Sequence, residues 1–332
     1  MTISWLRESF ERLPICDQAS QNAVRDRANN VLRPTGALQT LDEIAILIAG
    51  WHATSAPRIT RPAALVFAAD HGVATSSSVS AYPADITASM LKAYQSGKST
   101  LSVFAKIAGA TVHAVDVGVG RPTKDIQVEA AMSEQRFDQA ITAGRNAVEQ
   151  LDADLLVLGE MGIGNTTAAA AITAAILGGE PRSWVGRGTG VDEQGMARKC
   201  SAVDRAVTRI KEIKDPLEIL RQVGGAEIAA MAGALVAARL RRLPVVIDGY
   251  VVTSAALPLH QISSTALDHC LFGHCSPEQG HRKVLKHLNK PYLLNLNMRL
   301  GEGSGAMAAV PLITMACSGV TDVPTFQEWS ES

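Results

Sequence analysis

The segment ADLLVLGEMGIGNTTAAAAI (153–172) decides how this chain folds. Its first eight residues are an apolar run too short for a helix, so they read as a buried strand. Gly162 and Gly164 follow, and Asn165, Thr166 and Thr167 open an alanine-rich helix expected over 166–178. Strand, glycine turn and helix in that order make one unit of an α/β sheet. Helix N-termini carry partial positive charge and free N–H groups, so Gly162, Gly164, Asn165 and Thr166 are candidate anion contacts. The bland alternative is a plain turn with a helix cap. A dinucleotide fingerprint is excluded, because its third glycine position holds threonine.

The same texture recurs outward from this segment. AALVFAAD (63–70), TVHAVDVGV (111–119), LPVVIDGY (243–250) and PYLLNLNMRLGE (291–302) read as strands. Helices are expected over about 84–108, 136–150, 192–212 and 224–242. That alternation predicts a mostly parallel sheet with helices on both faces. Residues 1–58 differ: RESFERL, DQASQNAVRDRANNVL and Thr40–His52 read as helices, with a turn at RPTG (33–36). Leu38, Leu41, Ile44, Ala45 and Ile48 share a face that should pack against something.

Each apolar run ends in an acid with glycine close behind: Asp70, Asp116, Glu160, Asp248 and Glu302. Ligands of open α/β sheets bind beyond the carboxyl ends of the strands, so the five acids should gather on one rim. Any one of them alone reads as a cap or turn former. Glu302 poses the sharpest question, since NMRLGEGSGA (297–306) sets a carboxylate among three glycines where a phosphate loop would be expected. A second glycine stretch, WVGRGTGVDEQGMARK (184–199), offers Gly188, Thr189 and Gly190 as further anion contacts. Lys199 lies two turns past Asp192 on the next helix, reaching back to an anion or simply facing solvent. YQSGKST (94–100) lacks the upstream glycine and strand of a nucleotide P-loop.

Composition narrows the function. Of 332 residues, 47% are hydrophobic and only 4% aromatic, and the net charge of -1 includes no basic block, which argues against nucleic acid. No secretory signal and no run of about 18 apolar residues is read, so the expected location is the cytoplasm and not a membrane. Five scattered cysteines do not form a disulfide framework. DHCLFGHCSPEQGH (268–281) holds possible zinc ligands but matches no metal spacing and reads as a loop. There is no paired-acid run for a magnesium–pyrophosphate sugar donor and no Gly-x-Ser-x-Gly elbow.

SVSAYPADITASM (78–90), GEMGIGNTT (159–167), GRGTGVD (186–192), VIDGYVVTSAAL (246–257) and RLGEGSGA (299–306) closely resemble the nicotinate-nucleotide–dimethylbenzimidazole phosphoribosyltransferases, in order over roughly residues 33–317. The resemblance implies a Rossmann-like sheet (59–317) and a small helical domain from both chain ends (1–58 with about 318–332). It implies a homodimer whose partner helps close the cavity, with no cofactor and no metal. Its substrates would be nicotinate mononucleotide and a benzimidazole-type base. By resemblance Glu302 is the catalytic base and Glu160 a second carboxylate at the reacting sugar. Glu160, Gly162, Thr166, Gly188 and Lys199 hold ribose and phosphate, and Arg299 touches the product nucleotide. Ser80, Tyr82, Met161 and Leu300 surround the aromatic base. Three stretches depart from the family: RPTGALQTLD is a looser turn, Tyr82 stands where phenylalanine is common, and HCSPEQGHR has an unusual cysteine. Two rival readings remain: the same donor with adenine or a phenol as acceptor, and a nucleotide sensor without turnover.

Overall fold

The computed structural model describes residues 2–332. Three helices come first: α1 (Thr2–Phe10), α2 (Gln18–Asn30) and α3 (Gln39–His52). Then follow β1 (Pro62–Ala69), α4 (Gly72–Ser77), α5 (Ile86–Gln95), α6 (Thr100–Ile107), β2 (Thr111–Gly118), α7 (Glu134–Glu149), β3 (Leu155–Met161) and α8 (Asn165–Leu177). The second half runs α9 (Glu193–Arg209), α10 (Pro216–Val223), α11 (Ala226–Leu240), β4 (Val245–Ile247), α12 (Tyr250–Ile262), β5 (Cys270–His274), α13 (Gln279–His287), β6 (Tyr292–Leu294), α14 (Ser304–Thr321) and α15 (Phe326–Ser330).

The six strands form one sheet in the order β2-β1-β3-β4-β5-β6, and every neighbouring pair is parallel. Strand order reverses between β1 and β3, which is where open α/β sheets bind ligands. One face packs a core from α7, α8, α10, α11 and α12; the other packs α3, α5, α6 and α14. Alanine and glycine let these layers lie close. A Cβ on Gly144 of α7 would collide with the Ala230 carbonyl of α11, and one on Gly233 with the Ile141 carbonyl. The two helices are therefore in backbone contact.

The chain ends meet. Val24, Ala28, Ala45, Ile46, Ala49 and Val320 form a separate small core between α2, α3 and the end of α14. Val31 bridges to Thr325, and Arg27 pairs with Glu328 at 2.9 Å. α1 goes elsewhere, burying Leu6 with the core beside α7. α3 is buried on two sides: Ile44 and Ile48 join the sheet's core and Ala45 the small one, while Leu38 is exposed.

Several expectations are corrected. The helix expected over 84–108 is two helices, broken at Gly97, whose φ is +69°. YQSGKST is that break, preceded by a helix rather than a strand. The strand expected over 291–302 ends at Leu294, so Glu302 stands before a helix, not at a strand's mouth. DHCLFGHCSPEQGH is not a loop: it holds β5 and the start of α13. Its His269 packs edge-on to Trp51, and His281 bonds Thr253 and Ser276. Against the expectation of no long apolar run, α14 has the length and apolarity to cross a membrane, but over half of it is buried in the core.

Candidate active site

A cavity of about 490 Å³ opens beyond the carboxyl ends of β3, β4, β5 and β6. Glu160, Met161, Gly162, Asn165, Thr166, Gly188, Thr189, Tyr82, Arg299, Leu300 and Glu302 all line it, as the sequence suggested. Gly164, Gly190, Ser80 and Lys199 do not reach its wall.

The β3 turn is built for geometry first. Gly164 caps α8 at φ +94°, where an L side chain is strained. A Cβ on Gly162 would sit 2.7 Å from the Ala69 carbonyl and 3.1 Å from the His71 ring, so packing against β1 explains this glycine. Thr166 accepts a hydrogen bond from Lys199 Nζ at 2.9 Å, and that ammonium also donates to the Gly186 carbonyl at 2.7 Å. Lys199 is thus buried directly behind Thr166, neither in solvent nor on the wall. Burial pulls its pKa down to about 8, with the Glu278 carboxylate opposing.

The second glycine stretch closes over this pair. A Cβ on Gly188 would lie 2.9 Å from Thr166 Oγ1 and 3.1 Å from Lys199 Nζ. Its N–H, however, already donates to Glu278 at 3.0 Å, so that donor is occupied by a carboxylate of the protein. Thr189 Oγ1 meets Ser80 Oγ at 3.1 Å and accepts from Ala81 N at 3.1 Å, tying the stretch to the segment that presents Tyr82.

Of the five acids, only Glu160 and Glu302 line the cavity. Asp70 and Asp116 hold turns through the N–H groups of Gly120, and of Gly118 and Val119, respectively. Asp248 is fully buried and accepts from Gly303 N at 3.1 Å and Ala306 N at 2.8 Å. Glu160 accepts from the Asn165 amide. Burial, then Asp248 and Glu227, push the Glu160 carboxyl well above the usual range, with Asn165 opposing.

Glu302 sits in a turn where Gly301, Glu302 and Gly303 have φ of +82°, +66° and +86°. A left-handed conformation costs an L-residue about 1–2 kcal/mol. The turn also presses on β3, because a Cβ on Gly159 would strike the Glu302 carbonyl. Burial and then the charge of Asp248 raise the Glu302 carboxyl above its ordinary value, while the Tyr94 hydroxyl of α5 pulls the other way.

Tyr250, His274, Ser276 and Glu278 also line the cavity and were missed. The signal was present in CLFGHCSPE, a short apolar run ending in polar residues like the other strands. Its scattered histidines and cysteines match no metal spacing and read as a loop, while Tyr250 lies at the end of LPVVIDGY.

The family model described as Phosphoribosyltransferase matches residues 13–330. A nicotinate-nucleotide–dimethylbenzimidazole phosphoribosyltransferase of Methylocella silvestris is 44% identical over 324 residues, covering 97% of this chain and 94% of its own. One of Methylorubrum extorquens is 45% identical over 317 residues, covering 95% and 92%. The crystal structure of CobT from Thermus thermophilus matches with a TM-score of 0.89 at 39% identity, covering 94% of this chain and 98% of that one. The motifs that line the cavity and these full-length likenesses agree, and the chain belongs to the nicotinate-nucleotide–dimethylbenzimidazole phosphoribosyltransferase family.

Proposed function

We propose that the chain transfers 5-phosphoribose from nicotinate mononucleotide to 5,6-dimethylbenzimidazole, releasing nicotinate and forming α-ribazole 5'-phosphate. One observation carries this reading: Glu302 and the Thr166–Lys199 pair share one cavity region, a base on one side and a cation-backed hydroxyl on the other.

The chemistry fits a site with carboxylates and no acid for the leaving group. The donor's ring is a pyridinium, so it departs carrying the bonding electron pair and needs no proton. One benzimidazole nitrogen attacks the anomeric carbon; the other bears an N–H. As the new bond forms, the ring becomes cationic, and Glu302 takes that proton. General-base help of this kind contributes about 10²–10⁴-fold. Holding acceptor and anomeric carbon in line supplies most of the rest. Charge development suits the wall: Glu160 and Glu302, with Asp248 buried behind them, raise one another's charging cost, and an oxocarbenium-like sugar relieves it. Thr166 and Lys199 anchor the phosphate. Met161, Tyr82 and Leu300 flank the base, with Ser80 held behind by Thr189.

We also infer that 1–58 with 318–332, apart from α1, which packs on the main core, acts as a helical unit of a homodimer and helps close the partner's cavity. Exposed Leu38, Phe326 and Trp329 on that unit, and exposed Tyr82 and Leu300 at the cavity, support pairing. A cytoplasmic setting suits five free cysteines, three of them buried.

The test is direct. Incubation with nicotinate mononucleotide and dimethylbenzimidazole should release nicotinate only when the base is present and yield the α-anomer by inversion. No product, or a β-configured one, would remove the reading. A panel of bases including adenine and a phenol ranks the acceptors.

A further inference from the structure

We propose that Asp248 is a positioning residue for Glu302: from the end of β4 it caps α14, fixes the left-handed turn that carries Glu302, and places a fixed negative charge beside that carboxyl. This rests on Glu302 being the base.

Helix α14 has no side-chain cap of its own; its cap residue is Gly303. The Asp248 carboxylate fills that role from another strand, with Oδ2 on Gly303 N at 3.1 Å and Oδ1 on Ala306 N at 2.8 Å. Those two N–H groups bracket the start of the helix, so the carboxylate fixes where the preceding turn ends. Without such an anchor, three successive left-handed residues have little reason to persist. Ser304 closes the turn from inside, its N–H and hydroxyl both donating to the Gly301 carbonyl at 3.0 and 2.7 Å.

Asp248 stays charged in spite of being fully buried. Burial raises its carboxyl, but His274, with Nε2 3.3 Å from Oδ1, and the two N–H groups outweigh it and leave it below the ordinary value. His274 is itself locked in place, since a Cβ on Gly305 would collide with its ring. The groups that face Glu302 are Tyr94 on α5, Glu160 at the end of β3, Asp248 after β4, His274 on β5 and Arg299 on its own turn. Burial does most to raise the Glu302 carboxyl; among the facing groups the charge of Asp248 adds to it and the Tyr94 hydroxyl opposes it.

Glu302 works as its carboxylate, so turnover in wild type should fall as pH drops through a value above that of an ordinary glutamate. Asp248→Asn keeps the shape and one acceptor but removes the charge. It should lower kcat on the order of 10–100-fold through misplacement of the base, with the donor KM within about threefold. It should also move the acid limb to lower pH, because one nearby like charge is gone. Tyr94→Phe should move the limb upward. If Asp248→Asn does not fold, Asp248→Ser takes its place; its hydroxyl can still accept one N–H, and the same downward shift is expected. An acid limb that stays put in a folded Asp248 variant overturns the proposal, as does a loss carried wholly by donor KM. Glu302→Gln separates the two ideas: near-normal turnover there defeats the base reading itself, whereas a dead Glu302→Gln with an unmoved Asp248 variant defeats only the positioning role.

Discussion

Two glycine turns feed helix N-termini in the same cavity region, and they handle charge in opposite ways. At the start of α14 the protein's own carboxylate, Asp248, already occupies the N–H groups. At the start of α8 the cap residue Gly164 has no side-chain partner, and a buried lysine stands behind Thr166. Both helix ends attract anions. One is capped by a carboxylate of the protein and can hold a base next to it; the other closes its Asn165 and Thr167 N–H groups on the Gly162 and Gly164 carbonyls and sets a lysine-backed hydroxyl on the cavity wall. On the proposed reading, the difference allows a carboxylate to sit in one glycine turn while the donor's phosphate is assigned to the other.

The comparison is broken most severely at Glu302. Glu302→Gln should cut kcat by about 10²–10⁴-fold, measured in steady state, while the nucleotide's Kd by titration changes little. If binding collapsed with turnover, the α14 turn would be holding the donor after all.

Breaking the α8 side should look different. Lys199→Ala removes a charge-assisted contact worth about 1.5–3 kcal/mol, so donor KM should rise roughly 10–100-fold with kcat falling much less. A kcat effect larger than the KM effect would move Lys199 out of phosphate binding. The pH profile sharpens this point. In the proposed role Lys199 supports the phosphate through Thr166 only while protonated, and burial pulls its pKa down to about 8, so kcat/KM for the donor should decline as pH rises through that value. Lys199→Arg stays charged and should carry the plateau to higher pH.

The smallest effect belongs to the cavity mouth. Tyr82 is 55% exposed and bonds through its backbone to Ser80. Tyr82→Phe should change the preference between dimethylbenzimidazole and a phenolic or purine acceptor by only a few-fold, because one hydroxyl at a wet rim discriminates weakly. Competition between bases reads it; a switch of hundredfold or more would make Tyr82 the main reader of the acceptor.

Most of the architecture was legible because hydrophobic period and turn chemistry are local. AALVFAAD and ADLLVLGE are apolar runs, and the strands they supply, β1 and β3, are buried along their whole length. β4 and β6, three residues each, lie inside runs that read as strands, whereas β5 falls in the stretch that reads as a loop. β5 is five residues with two of its partners supplied by distant strands, and its His274 and Cys270 look polar until the sheet buries them. α12 received no assignment from the sequence, since YVVTSAALPLH mixes β-branched residues with Pro258. Only packing on both faces makes it a helix.

For the site, residues of RLGEGSGA and GEMGIGNTT line the cavity, and the order of strands and helices places both motifs beyond the carboxyl ends of one sheet. What the linear chain left open was partnership: that Asp248 serves α14 rather than the ligand, that Glu278 already holds Gly188 N–H, and that Lys199 works from behind Thr166. These contacts join residues 33 to 90 positions apart. Charges and hydrogen bonds act through space, and only the folded chain sets which groups come within about 3 Å of one another.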